Sequence, residues 1–108
     1  MAGAVTKKLW GHCRTLYQGE NILIRTLVIN PGAATGLQRH THRTKIWSKI
    51  SGSGVAFVAG TERDLKEVVY IPKYSFHRIK NTGDHPLIVY EVQSGYIFDE
   101  DEVTIGDE

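Results

Sequence analysis

Apolar positions along this chain seldom recur with the period of a helix. They gather instead in short β-rich runs at Ile22–Ile29, Ile46–Ile50, Val55–Val58, Val68–Ile71 and Pro86–Val92, and these predict strands. Turn-forming clusters separate the runs at Asn30-Pro31-Gly32, Ser51-Gly52-Ser53-Gly54, Ala59-Gly60-Thr61 and Asn81-Thr82-Gly83-Asp84. Short strands punctuated at regular intervals predict an all-β sandwich or barrel. No repeat of fixed period interrupts the pattern.

Composition narrows the class without changing it. With 108 residues, 41% of them hydrophobic and 23% charged, the chain is long enough for one packed core and too short for a second. One domain over 1–108 is expected, with its core at about 10–107. The lone Cys13 has no partner for an intrachain disulfide, and the first residues carry no apolar run after Lys7 and Lys8. No apolar stretch approaches the ~18 residues of a membrane span. A cytoplasmic protein that does not enter a membrane is therefore expected.

Charge is distributed unevenly. The formal net charge is +1, yet residues 99–108 contain six acids and no base, which leaves thirteen bases against six acids, or +7, in residues 1–98. Such a body attracts anions, and a phosphorylated small molecule satisfies it as well as a nucleic acid. The bases form no dense run and are not interleaved with aromatics, so nucleic acid is not the expected partner. The acidic tail reads as a solvated end, the alternative being a closing strand whose acids mark a barrel rim.

Five histidines are present, and two of them, His40 and His42, are two apart in Gln38-Arg39-His40-Thr41-His42-Arg43. On one strand they would project from the same face. Paired imidazoles suit zinc or another transition metal, with a third ligand supplied from elsewhere in the fold. His77, after Ile71-Pro72 and before the Asn81 turn, is the natural candidate, and His12 and His85 read as ordinary polar positions.

The order of the parts carries more than the pair. Pro31-Gly32, Gln38, His40, His42-Arg43, Trp47, Ser51-Gly52-Ser53-Gly54, then Ile71-Pro72 and His77-Arg78-Ile79 with Asn81, resemble the two cupin motifs in sequence order. Read onward through Gly83, Pro86-Leu87, Glu91-Val92-Gln93, Gly95 and Glu100-Asp101, the chain resembles the C-terminal domain of type II mannose-6-phosphate isomerases from about Trp10 to about Asp107. That domain is often fused to a mannose-1-phosphate guanylyltransferase, and nothing in this chain resembles the guanylyltransferase, so a free-standing cupin is expected. The resemblance implies a jelly-roll β-barrel, a divalent metal held by His40, His42 and His77 with Gln38, and a homodimer.

The match departs at one position. Three residues after the second histidine the family pattern has a glutamate that completes the metal site, and here Lys45 stands in its place. Strict alternation from His42 points residue 45 to the other face, so only the resemblance puts it in the pocket. If it lies there, an ammonium replaces a carboxylate beside a dication and weakens metal affinity.

The function the resemblance implies is a phosphosugar isomerase. Moving a proton between adjacent carbons needs a base, for which Glu91 and Lys45 are the candidates, and the metal would polarise the carbonyl. Arg78, Gln93 and Tyr90 are candidate substrate contacts, although neighbours on a strand alternate, so at least one of Arg43 and Arg78 is expected on the outer face. Two other readings stay open. One is a non-catalytic sugar-binding or accessory cupin with a degenerate metal site, and the other a metal-independent sugar epimerase.

Overall fold

The computed structural model describes residues 3–98 and 101–105. Among them are strands β1 (Val5–Lys8), β2 (Gly11–Gln18), β3 (Ile22–Ile29), β4 (Leu37–His40), β5 (Arg43–Ser51), β6 (Gly54–Val58), β7 (Thr61–Asp64), β8 (Val69–Ile71), β9 (His77–Asn81), β10 (Leu87–Gly95) and β11 (Glu102–Ile105). They form two antiparallel sheets, ordered β1-β2-β3-β10-β5-β8 and β11-β4-β9-β6-β7. The non-sequential neighbours make a two-sheet jelly roll, as cupins have. No helix among the described residues is long and apolar enough to cross a membrane.

All the runs that the hydrophobic pattern picks out are strands, and β3 has the predicted bounds. β5 begins three residues before the apolar run and β10 continues past it to Gly95. The pattern misses β1, β2, β4, β7, β9 and β11, whose sequences are largely polar. The acidic tail is corrected in its middle, because Asp101 is buried and Glu102–Ile105 pair with β4 as a closing strand. Asp99, Glu100, Asp107 and Glu108 lie outside the described residues.

Strand alternation divides the interior into two ends. On β10, Leu87, Val89, Glu91 and Gln93 point inward while Ile88, Tyr90 and Val92 point outward. Leu87 and Val89 meet Ile29, Leu27, Ile79 and Ala56 in a single apolar cluster, each large side chain contributing about 1.5–3 kcal/mol by its burial. Two residues further along, the interior becomes polar. Glu91 pairs with Arg25 on β3 and with Trp47 on β5, and Gln93 pairs with Leu23 and Lys45. Register alone thus stacks a charged layer on an apolar one.

Gly95 closes this polar end. Its φ of +128° and its approach to β5 leave no room for a side chain, since a Cβ there would overlap the His42 carbonyl. The next residue, Tyr96, donates its backbone N–H to that same carbonyl at 2.9 Å. The bend between β4 and β5 is held in this way.

Candidate functional site

Strand β4 ends at His40, and Thr41 and His42 form the bend into β5. The two histidines therefore do not share a strand, and the expectation that they face the same way is corrected. His40 is buried in the barrel, whereas the His42 side chain is 57% exposed. Asp101 sets this direction. Its carboxylate accepts from the Thr41 N–H at 2.8 Å, the Thr41 hydroxyl at 2.5 Å and the His42 N–H at 3.0 Å, and it lies 2.9 Å from His42 Nδ1. Burial opposes its ionisation, but these donors hold its pKa well below the usual carboxylate range.

From the bend onward alternation is strict. Arg43, Lys45 and Trp47 point into the barrel. Lys45 thus lies inside, as the resemblance implies, and it faces opposite to His42, as alternation implies. Across the barrel, β9 turns His77 inward and Arg78 outward. The rings of His40 and His77 stack with centroids 5.3 Å apart, and Trp47 meets His77 edge-on at 5.5 Å.

Glu91 is the hub of the cluster. It accepts from Arg25 Nε at 2.5 Å, Trp47 Nε1 at 2.8 Å and Gln93 Nε2 at 2.6 Å, and Lys45 Nζ lies 3.7 Å away. Burial alone would raise its pKa, but the charges of Arg25 and Lys45 overcome that and hold it far below the carboxylate range. A carboxylate so well satisfied is a poor base. Lys45 also donates to Gln38 Oε1 at 3.4 Å. Its burial lowers its pKa to about 8 against the attraction of Glu91.

Hydrogen-bond partners fix both imidazoles. His77 Nδ1 lies 2.9 Å from the Ser75 carbonyl, which can only accept, so the proton is on Nδ1. His40 Nε2 lies 3.2 Å from the Glu102 carboxylate, so its proton is on Nε2. The remaining nitrogens, His77 Nε2 and His40 Nδ1, are buried acceptors without a partner. Burial and the nearby Lys45 charge push His77 down to about 3, and burial also lowers His40. Glu102 is held at about 2 by its bond to His40.

Above this layer a cavity of about 310 Å³ opens, lined among others by Lys8, Cys13, Arg25, Arg43, Gln93 and Glu102. His40, Lys45 and His77 are not in its wall. His40 is reached through Glu102, and Lys45 through Glu91, which bonds the cavity residues Arg25 and Gln93. Arg43 is committed to Asp101, Gln93 and the Phe98 carbonyl. Arg25 keeps a fifth of its side chain exposed.

Two expected substrate contacts are elsewhere. Arg78 stacks over Phe57 on the outer face of the five-stranded sheet, 5.0 Å from the ring centroid. Tyr90 stands on the outer face of the other sheet, across from Thr26 and Ser48. Both follow from the alternation that sends His77 and Glu91 inward. Of the three expected contacts, Gln93 lines the cavity.

Among the described residues no group of three or more His, Cys, Asp or Glu side chains converges as metal ligands do. His42 is turned out to Asp101, two imidazole lone pairs remain, and an ammonium is buried beside them. Protein sites for zinc and similar ions use three or four ligands of this kind. The residues as arranged do not fit the ion.

The family model for the mannose-6-phosphate isomerase C-terminal domain matches residues 4–107. The chain belongs to that family. It is 33% identical over 96 residues to a mannose-1-phosphate guanylyltransferase of Klebsiella pneumoniae, covering 87% of this chain and 20% of that protein. It is 36% identical over 98 residues to the xanthan biosynthesis protein XanB of Xanthomonas campestris pv. campestris, covering 87% of this chain and 21% of XanB. The family member described here thus spans about a fifth of the length of these curated relatives. Among solved structures, the cupin domain of Schizosaccharomyces pombe Cnp3 superposes with a TM-score of 0.75 at 17% identity, over 85% of this chain and 68% of that one. That likeness shows the cupin fold.

Sequence reasoning missed Asp101 as a structural clamp and Arg25 as the ion partner of Glu91. Asp101 is among the residues that carry the resemblance, but the resemblance gives it no role and its charge does not single it out of a run of acids. Arg25 was legible in principle, because a lone cation inside the β-branched run Ile22–Ile29 has to be matched by a buried anion.

Proposed function

We propose that this chain is a sugar-phosphate-binding cupin that receives its anionic ligand in the cavity at the open end of the barrel. The observation that supports this most is the cavity wall, where Arg25, with a fifth of its side chain exposed, lies together with Lys8 and Gln93. A guanidinium matches phosphate oxygens with a fork of donors. Membership of a family named for a mannose 6-phosphate enzyme supports a phosphohexose. Thermal shift with mannose 6-phosphate tests the reading, with mannose as control. A rise in Tm with the phosphate ester alone is expected, and no shift with any hexose or pentose phosphate overturns it.

A second reading, aldose–ketose isomerisation, is favoured by one observation. Lys45 at about 8 and the unpartnered Nε2 of His77 put two proton-transfer groups in one buried layer. That reading requires the sugar to pass the floor of Gln93 and Glu102. Interconversion of mannose 6-phosphate and fructose 6-phosphate that is lost in Lys45→Met would support it, and none in the purified protein would end it.

We also infer that a second copy of the chain covers the outer face of the six-stranded sheet. Register lays Tyr70, Ile46, Val92, Ile24 and Tyr17 in one transverse row over five strands, about 19 Å at the usual strand spacing. No charge interrupts that row, so it is compatible with its own two-fold image.

A further inference from the structure

One buried group is used neither by the cavity nor by the apolar core. Lys45 is 2% exposed, yet its ammonium is not tightly paired, lying 3.4 Å from the Gln38 carbonyl oxygen and 3.7 Å from Glu91. Gln38 stands opposite His77 in the β4–β9 register, and His77 stacks on His40. Each of these imidazoles keeps a buried nitrogen lone pair without a donor. Lys45 thus has an amide oxygen and a carboxylate beside it and two imidazoles within reach of its charge, with Arg25 and Arg43 as the neighbouring cations.

We propose that the Lys45 ammonium is the resident cation of this barrel, held among His40, His77, Gln38 and Glu91 in the role of a divalent ion, so that the interior carries its positive charge in the chain and takes up no metal. Charge balance argues for this. Among the described residues the polar layer holds three cations, Arg25, Arg43 and Lys45, against three carboxylates, Glu91, Asp101 and Glu102. A divalent ion added to that set would leave two positive charges uncompensated around a position where His40, Lys45 and His77 are each 2% exposed. Exchanging Lys45 for a glutamate reverses the count to two cations against four carboxylates, and the deficit equals the charge of one divalent ion. The exchange also supplies a third ligand beside the two free imidazole nitrogens, a two-histidine, one-carboxylate set with open positions. The inference stands independently of the phosphosugar reading, since Lys45, His40 and His77 are not in the cavity wall.

Equilibrium dialysis of tag-free protein against Zn²⁺ and Co²⁺ tests it, read by elemental analysis and by the visible absorbance of cobalt. Wild type is expected to retain no metal and to show no metal-dependent rise in Tm. Lys45→Glu, refolded with the ion present, is expected to retain about one ion per chain, to gain thermal stability from it, and to lose both on adding His77→Ala. Stoichiometric metal in wild type that disappears in His40→Ala or His77→Ala overturns the proposal. So does a Lys45→Glu variant with native near-ultraviolet dichroism that binds nothing. Should Lys45→Glu fail to fold, Lys45→Gln decides by removing the charge alone: cobalt uptake above wild type supports the proposal, and uptake equal to wild type overturns it. None of these readouts involves a sugar, so they stand or fall apart from the thermal shift with mannose 6-phosphate.

Discussion

Replacing Glu91 by glutamine removes one negative charge and changes almost nothing in shape. The amide oxygen can still accept from Trp47 Nε1, now 2.8 Å from the carboxylate, but the amide nitrogen then replaces the one oxygen that accepts from both Arg25 and Gln93, and donor meets donor twice. Two cations, Arg25 and Lys45, lose their counterion in a layer where Lys45 is fully buried. Removing one member of a buried ion pair destabilises by about 3–5 kcal/mol. For a domain of this size that corresponds to a fall in Tm of about 15–30 °C. Urea unfolding followed by tryptophan fluorescence measures it, because Trp47 bonds Glu91 directly. Adding Lys45→Met removes one stranded cation, so the double variant is expected to recover about 1–3 kcal/mol relative to the sum of the single changes. A Glu91→Gln protein within 1 kcal/mol of wild type, or strict additivity of the pair, would refute the view of Glu91 as the charge centre of the barrel.

Acid is expected to destabilise the protein from about pH 6.5 downward. His77 is neutral when folded, with a pKa near 3, while the unfolded chain takes up a proton near 6.5, so between these values the unfolded state binds more protons and stability falls as pH falls. Between pH 7 and pH 4 this contributes about 3 kcal/mol, and the depressed Glu91 adds to it below its unfolded pKa of 4.5. Urea midpoints at the two pH values should differ less in His77→Gln, and an unchanged difference would remove His77 from the account. Ile46→Lys, on the outer face at 40% exposure, should convert the expected dimer to a monomer by light scattering without lowering the chain's intrinsic stability by more than about 0.5 kcal/mol. A monomeric wild type would dispose of the second-copy inference. Gly95→Ala should destabilise by more than 1 kcal/mol in the same urea assay, because the added Cβ meets backbone and not a movable side chain.

The apolar half of the barrel was legible because its strands bury apolar residues at alternate positions and carry β-branched ones between them, so β3 reads with its bounds and β10 over most of its length. β9 was not read as a strand because its inward residues, His77, Ile79 and Asn81, are two-thirds polar, while β4 contributes Gln38 and His40. Where the interior is itself polar, alternation persists but no longer shows as alternation of hydrophobicity. The motif order supplied what periodicity could not. It brought His40, His77, Lys45, Glu91 and Gln93 into one barrel without resolving which of them meet.

The two-residue spacing of His40 and His42 gave the wrong direction for a reason that lies 59 residues away in Asp101. Spacing dictates facing only while a strand continues, and here β4 stops at His40 because Asp101 draws the Thr41 and His42 amides into a bend. Arg43, which gives Nε to Asp101 at 3.2 Å, re-enters the barrel on the far side of that bend. Asp101→Ala therefore frees three donors and leaves Arg43 short of its carboxylate, an effect of about 2–4 kcal/mol. If the bend is what separates the histidines, combining Asp101→Ala with Lys45→Glu should tighten cobalt binding relative to Lys45→Glu alone, as His42 becomes able to join the set. Equal or weaker cobalt affinity in the folded double variant would mean that the backbone, anchored by Gly95 and Tyr96, keeps His42 outside without help from the aspartate.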